Sequence, residues 1–113
     1  RIVGLASRLT READATAAQS RRNLALAQAD RRIADARAAL AAADARLATL
    51  QRLGLPDAEE AVRLARLGYR EGEFSLLEVL DAEQALASAR DSLIDAELAR
   101  AKALAALERA AAH

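Results

Sequence analysis

The side chains best suited to chemistry in this sequence are two carboxylates, Glu78 and Asp81, in the run Ser75-Leu76-Leu77-Glu78-Val79-Leu80-Asp81. Three residues apart on a helix, they project from one face. If several copies of the pair gather around an axis, the resulting ring attracts cations and repels anions. Crowded like charge also raises carboxylate pKa values. A plainer use exists for both residues. Glu78 lies three positions after Ser75, which is capping-box spacing, and Asp81 is a first-turn acid favoured by the helix dipole. Two carboxylates without an imidazole or thiolate make a weak metal site, so no metal and no cofactor are expected. The chain has no Cys, and its one His is His113, at the last position. A Ser-His-Asp arrangement is therefore implausible. The glycines are isolated and form no phosphate-binding loop. The remaining acids are spread over helix surfaces, and no enzyme activity is expected.

Whatever positions these carboxylates is built from small and aliphatic residues. Of 113 residues, 53% are apolar, yet aromatics make up 2%; Ala (33) and Leu (19) supply most of the apolar total. Large aromatics normally carry much of a buried core. This composition fills the narrow seam between closely packed helices rather than a thick globular interior. Seventeen basic and seventeen acidic residues cancel. That balance argues against a nucleic-acid partner, which calls for a basic excess. No apolar run approaches the roughly 18 to 20 residues that span a bilayer. The sequence opens on Arg1 without a leader pattern, so the expectation is a piece of a longer chain.

Breakers are sparse, and they divide the chain into helices over about 2–52, 57–70 and 76–111, with a tip turn over about 71–75. Leu26, Ile33, Leu40 and Leu47 recur every seven residues, each followed three positions on by Ala29, Ala36, Ala43 and Leu50. In the last segment Val79, Leu86, Leu93 and Leu107 share one phase with Arg100 as the exception, and Ala82, Ala89, Ala96, Ala103 and Ala110 follow three after each. A strict seven-residue repeat predicts left-handed supercoiling, and Ala at alternate seam positions permits close approach of two backbones. The fold class expected is all-α, a long antiparallel helical hairpin with an Ala-rich seam. A second stripe on the last helix, Leu77, Leu80, Ala87, Ile94, Leu98 and Ala105, lies off that seam. It predicts neighbours on both sides of the helix, as in a bundle or a closed ring.

Two sites compete for the chain reversal. Gly54-Leu55-Pro56 gives two arms of nearly equal length. The Tyr69–Ser75 stretch holds two glycines nearby and a capping box, but leaves residues 1–30 overhanging. The density of turn chemistry favours the second. Tyr69, the only tyrosine, is then either a contact at the tip or a packing residue closing the hairpin end. Phe74 either presents an apolar surface to a partner or folds back onto Leu77.

The run Leu55-Pro56-x-Ala58, then Tyr69-x-x-Gly72, then Leu76-Leu77-Glu78-Val79-Leu80-Asp81-Ala82 resembles the second helical hairpin of the outer-membrane efflux protein family, the TolC-like exit ducts of tripartite pumps. The Leu-Pro-x-Ala opening resembles the branch serving heavy-metal (cobalt–zinc–cadmium or copper) efflux. The motifs lie within residues 55–107, and residues 1–54 fit as a generic long helix. The resemblance implies a homotrimer whose β-barrel in the outer membrane continues into an α-helical tunnel through the periplasm. It implies that Tyr69 and Gly72 lie at the periplasmic tip, and that Glu78 and Asp81 form carboxylate rings at the closed entrance. It also implies docking to the helical hairpin of a periplasmic adaptor protein, with an inner-membrane pump reached through that adaptor. Glu78 stands where members carry Asp. Phe74 stands where some members carry a basic residue that helps lock the closed state, so an apolar contact is expected there instead. Two other readings use the same residues: an adaptor hairpin, which needs a short turn between equal arms, and a structural coiled coil without a transport role.

Overall fold

The computed structural model describes residues 2–112, and the lone histidine, His113, lies outside the described residues. Helix α1 (Ile2–Thr49) passes through a π-helical turn, Leu50–Gly54, directly into α2 (Leu55–Arg70), and α3 (Leu76–Ala111) returns antiparallel. There is no strand among the described residues. The molecule measures 103 × 21 × 14 Å. At 1.5 Å per residue, Ile2–Arg70 alone accounts for roughly 104 Å, so the long dimension is one uninterrupted helix.

The expected break near Gly54-Pro56 is therefore absent, and the separate helices over 2–52 and 57–70 are one rod. Gly54 has ordinary right-handed helical angles (φ −60°, ψ −54°). Two physical reasons explain the continuity. Pro56 has no N–H and its ring crowds the carbonyl four residues back. The turn just before it widens, with the Leu55 N–H bonding the Leu50 carbonyl five residues back, and a π-turn of this kind takes in one additional residue. The seam needs that residue. Leu47, Leu50 and Gly54 follow the 3–4 alternation of the heptad; Leu55 beside Gly54 is half-buried as well, and the seam then resumes at Ala58, four on from Gly54 rather than three, followed by Val62 and Ala65. One extra residue in the repeat and one extra residue in the helical turn cancel, and the same edge of the rod keeps facing α3.

On α3 the heptad runs without interruption. Val79, Ala82, Leu86, Ala89, Leu93, Ala96, Arg100, Ala103, Leu107 and Ala110 are all buried or half-buried. Against them α1 and α2 present Ala29, Ile33, Ala36, Leu40, Ala43 and Leu47 and then the residues after the π-turn. Arg100, the polar exception, donates a hydrogen bond to Asp44 across the seam. The seam is thin: Val62, Ala65, Val79 and Ala96 are its buried apolar residues, and none is large. Burying a Val contributes about 1.5–3 kcal/mol, so the hairpin depends on many small contacts along its length. Contact with α3 ends near Ala29, and Leu24 and Leu26 beyond it are well exposed. The second stripe on α3 is also uncovered, with Leu77, Leu80, Ile94 and Leu98 all more than half exposed.

Candidate functional site

The reversal is built by the last turn of α2 and the first of α3. Gly72 has φ +78°, the left-handed conformation that glycine adopts without a Cβ penalty. The Gly72 N–H donates to the Tyr69 carbonyl at 3.1 Å and the Glu73 N–H to the Gly68 carbonyl at 2.7 Å. These two bonds are the Schellman pattern, which satisfies carbonyls that the end of a helix leaves open. The chain then enters α3 through Ser75, whose Oγ accepts from the Glu78 N–H at 3.3 Å, while the Ser75 N–H donates to Glu78 Oε2 at 2.9 Å. Both halves of the capping box are present, so one end of Glu78 is held in place.

Phe74 does not fold back onto Leu77. Its ring lies over Gly68 in α2, where a Cβ would come within 2.2 Å of Phe74 Cδ2. Gly68 is thus the seat of the ring, a role the sequence reading missed. Its signal was an isolated glycine inside a helical pattern, which usually has a packing reason. Phe74 stays 43% exposed, and Leu64, Leu67 and Glu71 border the shallow hollow it closes. Tyr69 is half exposed on the last turn of α2 and serves the turn through its backbone carbonyl.

Glu78 and Asp81 are both exposed on α3, Asp81 one turn further into the helix than Glu78. They lie on one flank of the seam. Among the described residues Asp81 makes no side-chain hydrogen bond or ion pair. Glu71 and Glu73 add two further exposed carboxylates at the tip, which the sequence reading had not singled out.

The other flank carries the opposite charge. Glu83 is five residues from Glu78 and two from Asp81, roughly 140° and 160° away around the helix axis. It accepts from Arg66 Nη2 at 2.8 Å and Nε at 3.2 Å, joining α2 to α3. Beside this pair runs an open groove of about 610 Å³ with Val62 and Leu86 at its base and Arg63, Arg66, Arg70 and Arg90 along its walls. Arg63 donates to both oxygens of Glu60, at 2.8 and 2.6 Å. Those hydrogen bonds, chiefly, hold the Glu60 carboxyl below its ordinary pKa and raise that of the guanidinium. No group of three or more metal-ligating side chains comes together among the described residues. No helix described is long and apolar enough to cross a membrane.

A capped helical reversal at the end of a long, thin, Ala-seamed hairpin is the geometry that the sequence resemblance implies. The family model for outer membrane efflux protein matches residues 3–113, so the likeness extends through α1 as well as the tip. The chain belongs to the outer membrane efflux protein family. No curated protein and no solved structure matches it at the level of a detectable relative. As a family of channel proteins, outer membrane efflux proteins transport rather than catalyse, and this chain is an all-α component of such a channel.

Proposed function

We propose that this chain is the periplasmic helical part of an outer-membrane efflux duct, working as a trimer, with the Tyr69–Asp81 reversal at its inner tip. The observation that carries the reading is the placement of Glu78 and Asp81 together on one exposed flank, directly behind a rigidly capped turn. Threefold repetition turns that flank into rings of carboxylates around the entrance. Such rings favour cations and resist closing on one another, so they set both selectivity and the ease of opening. The capping box fixes the height of Glu78, while Phe74 on Gly68 replaces a polar lock with an apolar one. The outer side of the tip docks the helical hairpin of a periplasmic adaptor, and through it an inner-membrane pump. Heavy-metal cations are the proposed cargo, on the strength of the Leu55-Pro56-x-Ala58 opening and the acidic flank.

The alternative of an adaptor hairpin needs arms of similar length about Gly54–Pro56. The chain runs helical through Gly54–Pro56 and reverses between Arg70 and Leu76 instead, so the turn that would favour it is not there. The test is the pair Glu78→Gln and Asp81→Asn in the full-length duct reconstituted in planar bilayers. Cation over anion selectivity is expected to fall, and block by added divalent cations to weaken. Conductance, selectivity and block all identical to the parent would rule out an entrance role for these carboxylates.

A further inference from the structure

Helix α1 has a second face that neither α3 nor the reading above uses. At 100° per residue, Ile2, Ala6, Leu9, Ala13, Leu24 and Ala27 fall on one side of the rod, roughly 160° around from the seam residues Leu26, Ala29 and Ile33. Ile2, Leu9 and Leu24 are all more than half exposed. Over residues 2–30 a sector roughly 140° wide about this line holds no charged side chain. Its threonines are turned back on the helix. Thr10 Oγ1 donates to the Ala6 carbonyl and Thr16 Oγ1 to the Glu12 carbonyl, each at 2.9 Å, which removes two hydroxyls from the face. The seam phase continued back from Leu26 meets Arg22, Gln19, Glu12 and Arg8 instead. The apolar pattern of α1 therefore changes sides near Leu26.

The order of residues along this face selects its neighbour. Ile2, Ala13 and Leu24 are eleven residues apart, a repeat that keeps the stripe nearly parallel to the helix axis, so that a straight helix can follow it. Large and small side chains alternate along it, and they match their own reverse. Two copies laid antiparallel about a twofold axis near Ala18 place Leu9 against Ala27 of the second copy, Leu24 against its Ala13 and Ile2 against its Ala34. In such a pair the same edge of each helix adjoins the other, so Asp14 meets Arg21 of the second copy, twice by symmetry. Both are exposed and take no part in the ion pairs among the described residues. A parallel pair in register fails on both counts. Leu9 would meet Leu9 and Ala13 meet Ala13, so the helix separation would have to change every turn, and Asp14 would come beside Glu12. A bilayer surface fits less well, because alanines and threonine methyls offer little apolar area and the flanks carry acids as well as bases. Contact over residues 2–34 gives a strip roughly 48 Å long and about 10 Å wide on each copy, roughly 1,000 Å² in all. That is the low end for a specific interface and suits micromolar association.

We propose that two copies of this chain pair antiparallel through residues 2–34 of α1, with Ile2, Leu9 and Leu24 seated on alanines and Asp14 paired with Arg21 across the axis. The inference goes beyond the efflux-duct reading and does not depend on it. The two tips point to opposite ends of the pair, so Glu78 and Asp81 take no part. A twofold pair with opposed tips cannot belong to a threefold duct whose tips share one direction. Pairing is therefore a state of the chain outside the assembled duct. It covers an uncharged face otherwise open to water, and it supports a stretch of helix that has no tertiary contact of its own and is marginal alone.

The test is sedimentation equilibrium of the 113-residue chain from about 1 to about 300 µM. A monomer–dimer equilibrium with a micromolar midpoint is expected, and helicity by circular dichroism should rise as the dimer forms. Asp14→Arg or Arg21→Asp alone is expected to weaken association about tenfold, and the two together to restore it to within about threefold of the parent. Leu9→Glu with Leu24→Glu is expected to leave a monomer with its α1–α3 seam intact, since contact with α3 ends near Ala29. The chain has no cysteine of its own, so direction can be read by cross-linking. Chains carrying Leu9→Cys mixed with chains carrying Ala27→Cys are expected to give chiefly the mixed disulfide. A monomer throughout the range overturns the proposal and assigns the face to a different neighbour. Disulfides joining 9 to 9 and 27 to 27 overturn it in favour of a parallel pair. A trimer overturns it, as does a dimer that survives Leu9→Glu with Leu24→Glu, or a charge swap that fails to restore association. Failure of the efflux reading would show as unchanged selectivity in the Glu78 and Asp81 variants of the duct, a result distinct from each of these.

Discussion

Gly68 and Phe74 form a pair whose coupling can be calculated and measured. Phe74 is 43% exposed, so a little over half of its surface is covered. A fully buried aromatic removes about 150–250 Å² from water, so the covered part is about 100 Å². At about 25 cal/mol per Å², and discounted for a compact unfolded chain, the ring contributes about 2 kcal/mol. In Gly68→Ala the new Cβ would lie 2.2 Å from the ring. No contact that short survives, and the half-exposed ring can swing outward, so that contribution is lost. Alanine in a helix interior returns about 1 kcal/mol relative to glycine. The net is a loss of about 1 kcal/mol, or a fall in Tm of about 4 °C for a chain of this size. With Phe74→Ala in place there is nothing to displace, and the same Gly68→Ala change then stabilises by about 1 kcal/mol. The sign therefore inverts, with a coupling of about 2 kcal/mol in the double-mutant cycle. Thermal and urea unfolding followed by circular dichroism read all four proteins. Gly68→Ala raising Tm equally in both backgrounds would refute the seating of the ring and with it the apolar lock at the tip.

Three further outcomes follow from the hairpin itself. Ser75→Ala removes the side-chain arm of the capping box, leaving the residue 75 N–H on Glu78, and is expected to cost about 1 kcal/mol, while Ser75→Asp retains most of it, as denaturant midpoints will show. Arg100→Leu makes the α3 seam wholly apolar; Tm is expected to rise while the register loses its polar marker, so sedimentation should find extra oligomers, and a monodisperse parental profile would deny Arg100 that role. Deleting Leu53 together with Pro56→Ala removes the extra residue and its cause, leaving an unbroken heptad; Tm is expected to hold or rise, whereas deleting Gln84 from the uninterrupted seam of α3 should lower it sharply.

What the sequence made legible was whatever depends on period and local chemistry. The α3 heptad, Val79 through Ala110, is the buried edge of that helix, because a strict repeat on an unbroken helix has one possible facing side. The capping box was readable because Ser75 and Glu78 act within one turn. Gly54 and Pro56 misled because their local preference for a break was outweighed. A widened turn satisfies Pro56 without ending the helix, and the repeat itself had a residue to spare there. The extra residue is visible in the spacing from Gly54 to Ala58, but only once the seam is followed through the supposed break. Phe74 on Gly68 was out of reach for a different reason, since the contact crosses the turn and depends on the path set by Gly72.

The charge on the two flanks shows the same division between what period reveals and what pairing adds. Net charge sums over the whole surface, and here it sums to zero. The heptad assigns Glu78 and Asp81 to one side of the α3 seam and Glu83 and Arg90 to the other, so part of the segregation is implicit in register. The rest requires α2 to lie alongside α3, because only then do Arg63, Arg66 and Arg70 join Arg90 on one flank. An antiparallel pair brings like flanks together, and the π-turn keeps α2 in phase with α3 to do so. The extra residue near Gly54 thus acts at a distance: without compensation it would turn α2 by about 100° relative to the seam. The arginine groove and the carboxylate flank would then no longer lie on opposite sides of the tip.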